Sequence, residues 1–116
     1  MIDYKLALAL KEAGFPQKEE GLYITKENHL IKALAVHNKK DLIYVPTLSE
    51  FIEACGDRFG ELTKNYADWS AGGGKMNGVD EIAWEFEAKG ETSEEAVANL
   101  WLKLNESKRY NFKEKI

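Results

Sequence analysis

Apolar residues in the first thirteen positions recur at helical spacing. Ile2, Leu6, Ala9, Leu10 and Ala13 share one face, while Lys5, Lys11 and Glu12 fall outside it. The pattern predicts a helix over residues 3–13. Asp3 can cap its start, and Gly14 followed by Pro16 stops it, because glycine accepts a left-handed turn and proline cannot extend the helix.

The next segments read as strands. L-Y-I-T (22–25) is rich in residues that favour extended backbone, and K-E-N-H (26–29) has the composition of a turn. L-I-K-A-L-A-V-H (30–37) fits a helix stripe or a strand face. Turn signals at both ends and the strand-like L-I-Y-V (42–45) favour a strand, with N-K-K-D (38–41) as the link of a hairpin.

Two helices announce themselves by their caps. Thr47, just after Pro46, stands three residues before Glu50, a T-x-x-E capping box. Leu48, Phe51, Ile52 and Cys55 follow as a buried stripe that Gly56 ends. Thr92 and Glu95 repeat the signature, and Val97, Leu100, Trp101 and Leu104 place a third helix over about 93–105.

Between these helices, I-A-W-E-F-E-A (82–88) alternates, with Ile82, Trp84, Phe86 and Ala88 on one face. A-D-W-S-A (67–71) alternates too, grouping Ala67, Trp69 and Ala71. The stretch between them, containing Gly72, Gly73, Gly74 and Gly78, reads as a long hairpin connection.

The expected fold is therefore α+β. An N-terminal helix comes first, then a small antiparallel sheet of three to five strands with two further helices on one face, the last of them amphipathic and near the C-terminus. Residues 1–107 are expected to form one domain, followed by a flexible basic tail over 108–116. The expected core holds Leu6, Leu10, Phe51, Ile52, Trp84, Phe86, Val97, Leu100, Trp101 and Leu104.

Composition narrows the function mainly by exclusion. An apolar share of 44% and a charged share of 31% are those of a globular chain. The net charge of −4 argues against a nucleic-acid footprint, which needs clustered cations. In the C-terminal run, Lys108, Arg109, Lys113 and Lys115 outnumber Glu106 and Glu114 by two. The single cysteine, Cys55, allows no internal disulfide, and no apolar run reaches the ~20 residues of a membrane span. The N-terminus lacks the pattern of a signal peptide. A bacterial cytoplasm is the expected location, with no membrane association.

The lysine after three glycines invites comparison with phosphate-binding loops. A Walker loop requires G-x-x-x-x-G-K-[ST], but the residue five before Gly74 is Trp69, and Met76 follows Lys75 where a hydroxyl is needed. The dinucleotide fingerprint fails at Asn77, and a strand follows where a helix N-terminus should bind the anion. Cys55 reads as a buried core residue. His29 and His37 lack a convincing third metal ligand, so neither a metal nor a cofactor is expected. Glu81, Glu85, Glu87, Glu91, Glu94 and Glu95 suit solvated faces and form no catalytic constellation. Trp69, Trp84 and Trp101 could converge on one sheet face. They read either as core or, for Trp69 beside the glycines, as the wall of a groove.

P-T-L-S-E-F-I-E-A-C-G-D (46–57) and T-S-E-E-A-V-A-N-L-W-L-K-L-N (92–105), with G-F-P-Q (14–17) and W-S-A (69–71), resemble a set of small uncharacterised phage and prophage proteins. The resemblance covers most of the chain outside 18–44 and 72–81. It implies a viral or mobile-element setting and no particular activity. G-E-T-S-E-E-A-V-A-N-L (90–100) also resembles the strand-to-helix corner of HicB-type antitoxins. Here, though, the opening strands and the DNA-binding segment of that family have no counterpart, and no functional residue carries over.

Two functions follow as expectations. The first is a non-catalytic phage-type accessory protein, monomeric or homodimeric, that binds a host or phage protein and inhibits a defence or regulatory factor. The alternative is a nucleotide-like ligand held by Trp69, Gly72, Gly73, Gly74 and Lys75 within the loop 72–78.

Overall fold

A computed structural model of the chain describes residues 2–33, 42–77 and 83–114. The chain is α+β and divides into two compact units, Ile2–Thr47 and Leu48–Ile116.

The first unit opens with α1, Tyr4–Glu12. Asp3 caps it, its Oδ1 accepting the Leu6 N–H at 2.8 Å. At the other end Gly14 takes φ +94°, Gly14 N–H donates to Lys11 C=O (3.0 Å), and Phe15 N–H donates to Leu10 C=O (2.9 Å). This is the paired 5→2 and 6→1 arrangement of a Schellman stop, with Phe15 and Leu10 both buried as its apolar contact.

Three short strands follow: β1 (Gly21–Ile24), β2 (Leu30–Ala33) and β3 (Ile43–Val45). They form one antiparallel sheet in the order β2-β1-β3. The expected hairpin between residues 30–37 and 42–45 is corrected here. Both strands pair with β1, so they run in the same direction on opposite sides of it and cannot form a hairpin with each other. The link expected at 38–41 lies outside the described residues. The β1–β2 turn is closed by Thr25 N–H to His29 C=O at 3.0 Å. Asn28, in the left-handed region at φ 65°, accepts the Tyr4 N–H of α1 on its Oδ1 at 2.8 Å. Tyr23, Ile24, Ile43, Tyr44 and Val45 are buried, and the Tyr23 and Tyr44 rings meet edge to face at 5.8 Å.

The second unit begins with α2 (Leu48–Cys55), directly after Thr47, and passes through a single 3-10 turn, Gly56–Arg58. Then come β4 (Phe59–Lys64), β5 (Trp69–Asn77), β6 (Ala83–Gly90) and α3 (Ser93–Glu114). The sheet order is β4-β5-β6, all antiparallel, and α3 packs across one face. Ala71 lies opposite Ala88, both buried, and their small side chains leave room for the helix. Ala96, Val97, Leu100 and Leu104 of α3 are buried, as is Phe51 of α2. Thr92 caps α3, its Oγ1 accepting the Glu95 N–H at 3.1 Å.

Two sequence expectations change in this unit, and one strand is added to them. Gly72, Gly73 and Gly74 are not in a hairpin connection: they lie inside β5, the central strand, paired or flanked on both sides. F-G-E-L-T-K, which carries no strong strand signal, is the strand β4. The last helix continues past the expected end near 105 to Glu114. Gly78 and the remainder of the β5–β6 link lie outside the described residues.

Candidate functional site

Of the residues proposed from sequence as a ligand loop, Gly72 and Gly73 are buried. Gly72 and Gly73 present opposite faces of β5. A Cβ on Gly73 would lie 2.4 Å from the Arg58 carbonyl oxygen and 3.3 Å from Leu100 Cδ2, so this face receives α3. A Cβ on Gly72 would lie 2.4 Å from Trp84 Cδ1, so the other face is covered by the indole. Gly74 takes φ +85° within the register shift between Gly73 and Met76, a conformation a side chain would strain. Lys75 is exposed, and its N–H donates to Glu85 Oε1 at 3.3 Å. Trp69, half-buried, pairs with Lys64 and Gly90, and the Lys64 ammonium sits 5.5 Å over its ring. Gly72 and Gly73 are paired with β4 on one side and β6 on the other, so their backbone does not form the open row of N–H groups that would cradle an anion.

The three tryptophans do not converge, contrary to the sequence expectation. Trp69 shares the strand parity of Ala71 and Gly73 and lies on the α3 side. Trp84 crosses Gly60 and Gly72 on the opposite side, half-buried, with its Nε1–H donated to Glu61 Oε2 at 2.9 Å. Beside it the β5–β6 register shifts, three residues of β5 from Gly73 to Met76 spanning two of β6 from Phe86 to Trp84. Trp101 lies on α3 beside α2.

There it lines a cleft of about 130 Å³ with Ala54, Cys55, Arg58, Leu104 and Asn105. That is well below the ~300–1,000 Å³ of ordinary small-molecule sites. Arg58 is engaged within it, donating Nη1–H to the Leu104 carbonyl at 3.3 Å with its guanidinium 5.8 Å over the Phe86 ring. Cys55 is buried, and that burial pushes its thiol up to about 11 while the Arg58 charge pulls the other way. A thiol so held is not a ready nucleophile. His29 is exposed in the β1–β2 turn, and His37 lies outside the described residues. Among the described residues no three His, Cys, Asp or Glu side chains converge to hold a metal ion, and no helix is long and apolar enough to cross a membrane.

The feature that sequence reasoning missed is a sheet edge. At β3, Tyr44 gives its N–H to Gln17 Oε1 at 3.3 Å. At β6, two α3 side chains cover the backbone: Asn99 donates to Lys89 C=O at 3.0 Å, and Lys103 donates to Glu87 C=O. At β4, a register shift at Phe59/Glu61 and exposed Glu61, Thr63 and Lys64 interrupt the edge with a bulge and polar groups. β2 differs from these three. Leu30 is 38% and Ile31 41% exposed, and Leu22 on the neighbouring β1 is 40% exposed. Of the large apolar side chains exposed among the described residues, only Tyr66, at the tip of the β4–β5 turn, lies elsewhere. The signal was available in the pair Leu30–Ile31: consecutive strand residues point to opposite faces, so two adjacent apolar residues at an edge cannot both reach one core.

No protein-family model, no curated protein and no solved structure matches the chain.

Proposed function

We propose that the chain is a non-catalytic accessory protein of the phage or prophage type that binds a host or phage protein and thereby inhibits a defence or regulatory factor. The observation carrying this reading is the exposure of Leu30 and Ile31 on the edge strand β2, with Leu22 exposed on the neighbouring β1. Exposed apolar side chains beside an unblocked strand are the physical basis of protein–protein attachment, and natural proteins otherwise guard such edges. The phage setting rests on the resemblance of residues 46–57 and 92–105 to phage proteins.

The alternative nucleotide-like ligand at Trp69 and Gly72–Gly74 gains no support from the geometry, because Trp84 and Leu100 occupy the glycine faces.

The test is native mass spectrometry of the tagged protein, purified gently from a phage-infected bacterial lysate, beside an Ile31→Asp variant. A protein retained at fixed stoichiometry by the wild type and lost from the variant supports the reading. A small added mass of a few hundred daltons on both would replace it with the ligand reading. A wild-type chain carrying nothing counts against both.

A further inference from the structure

The outer face of the second sheet, opposite α3, carries an indole laid flat on glycine. A Cβ on Gly72 would lie 2.4 Å from Trp84 Cδ1 and 3.1 Å from its Nε1. One on Gly60 would lie 2.4, 2.5 and 2.6 Å from three atoms of the six-membered ring. Both ends of the ring system therefore rest on the sheet. Trp84 is only half-buried, so the part left open is the side turned outward.

Carboxylates stand on either side of it. Glu61 of β4 and Glu87 of β6 are both in register with Gly72, share its outer face and are exposed. Two strand spacings set their Cα atoms about 10 Å apart, with the indole between them. Glu61 is held in place: its Oε2 accepts the Trp84 Nε1–H at 2.9 Å and its Oε1 the Thr63 hydroxyl at 2.8 Å. Two cations are near. Lys89 lies on the same face one rung further along, opposite Ser70, and the Lys103 ammonium bonds the Glu87 carbonyl at the edge of β6. The groups beside the ring itself are the two carboxylates.

Other rings of this sheet show what such a face attracts. The Lys64 ammonium sits 5.5 Å over Trp69, and the Arg58 guanidinium 5.8 Å over Phe86. Among the described residues no cation sits over Trp84, although two acids flank it. An indole face attracts cations through its quadrupole, and a carboxylate on each side adds to that field. Guanidinium suits the place better than ammonium, since it stacks on the ring and forks a carboxylate at once.

We propose that the outer face of β4-β5-β6 receives an arginine side chain of a partner protein, its guanidinium stacked on Trp84 between Glu61 and Glu87. Glu87 takes the forked bond, because each oxygen of Glu61 already accepts one. The Trp84–Glu61 bond fixes the platform before the partner arrives. This rests on the protein-binding reading above and names the chemistry of the partner, on a different sheet from β2.

The probe is the peptide acetyl-Gly-Arg-Gly-amide, titrated at low salt into the isotope-labelled full chain. The readouts are the Trp84 indole N–H resonance, identified by its loss in Trp84→Phe, and the Glu87 carboxyl carbon. Both should shift saturably while the indoles of Trp69 and Trp101 stay still. Citrulline in place of arginine keeps the shape without the charge and should bind about tenfold more weakly. Lysine in that place should fall between the two, and added salt should narrow the differences. Glu87→Gln should weaken the arginine peptide about threefold and leave the thermal midpoint unchanged.

Equal binding of the arginine and citrulline peptides, shifts centred on Trp69 or Trp101, or no saturable shift at Trp84 would overturn the proposal. So would an equal Trp84 response to methyl glucoside, which would make the ring a platform for sugars. Glu87→Arg, which sets a cation of the chain's own beside the ring, separates this site from the binding reading. A captured protein that the arginine peptide displaces and Glu87→Arg loses joins the site to that partner. One retained by Glu87→Arg but lost from Ile31→Asp leaves the binding reading standing and overturns the arginine site. If the peptide binds at Trp84 while the wild type captures no protein, the site holds and the accessory-protein reading falls. If both experiments fail, both fall.

Discussion

The Trp84 indole closes over Gly72 so tightly that a single methyl added there would lie 2.4 Å from its Cδ1. Glycine at this position in a central strand is therefore a packing requirement. Gly72→Ala should destabilise the protein by about 1–3 kcal/mol through overpacking. Urea unfolding would measure it. Pairing the change with Trp84→Leu should recover part of the loss, with a coupling of about 1 kcal/mol between the two sites. A neutral Gly72→Ala would mean that the indole does not lie across the strand.

Trp84 also sets the acidity of Glu61. The indole N–H bond at 2.9 Å, then the Thr63 hydroxyl at 2.8 Å, hold the Glu61 carboxyl below its usual range. Because the folded value lies below the unfolded one, the associated stability is present above the ordinary carboxylate range. It is lost as pH falls from there through the depressed value. A carboxyl-carbon NMR titration should find Glu61 titrating below a typical surface glutamate, and Trp84→Phe should move it upward. An unchanged titration in Trp84→Phe would remove the indole as the cause.

The helices were legible because their determinants are local. Asp3, Gly14, Thr92 and Gly56 act within one or two turns of their own chain, so spacing alone reveals them. The second sheet was legible only in part. Trp69–Ala71 and Trp84–Ala88 alternate visibly, but β4 is specified by pairing with β5 rather than by its own composition. Gly72, Gly73 and Gly74 looked like a turn because glycine is a poor strand former. They belong in the strand because Leu100 and Trp84, distant in sequence, need the space. The candidate site followed the same division. Leu30 and Ile31 were visible as an apolar pair, whereas the openness of their edge depends on β1 lying between β2 and β3.

The cap of α3 offers a measurement independent of tertiary packing. Thr92 Oγ1 accepts the Glu95 N–H at 3.1 Å, satisfying a donor that the helix itself leaves unpaired. Thr92→Ala should cost about 1 kcal/mol, and Thr92→Ser, which keeps the oxygen, much less. Thermal or urea denaturation of the two variants side by side would check it. Equal losses would point to the methyl group of Thr92 rather than its hydroxyl.

Cys55 should report on the seal between α2 and α3. Its burial beside Arg58 and Trp101 raises the thiol to about 11 from an ordinary 9.0. The folded chain then holds the neutral thiol at pH values where the unfolded chain releases its proton. The stability linked to it is fully present below about 9 and declines as pH rises toward about 11. A disulfide reagent at pH 8 should label the unfolded protein in urea quickly and the native protein slowly, at a rate that tracks opening of the helices. Subtracting the alkaline stability profile of Cys55→Ser isolates this group from Tyr23, whose phenol is also raised, chiefly by burial. Arg58→Met removes the bond to the Leu104 carbonyl and the cation over Phe86, and should speed native labelling. If Cys55 reacts at the unfolded rate in the native protein, the packing of α2 on α3 is not what holds the thiol.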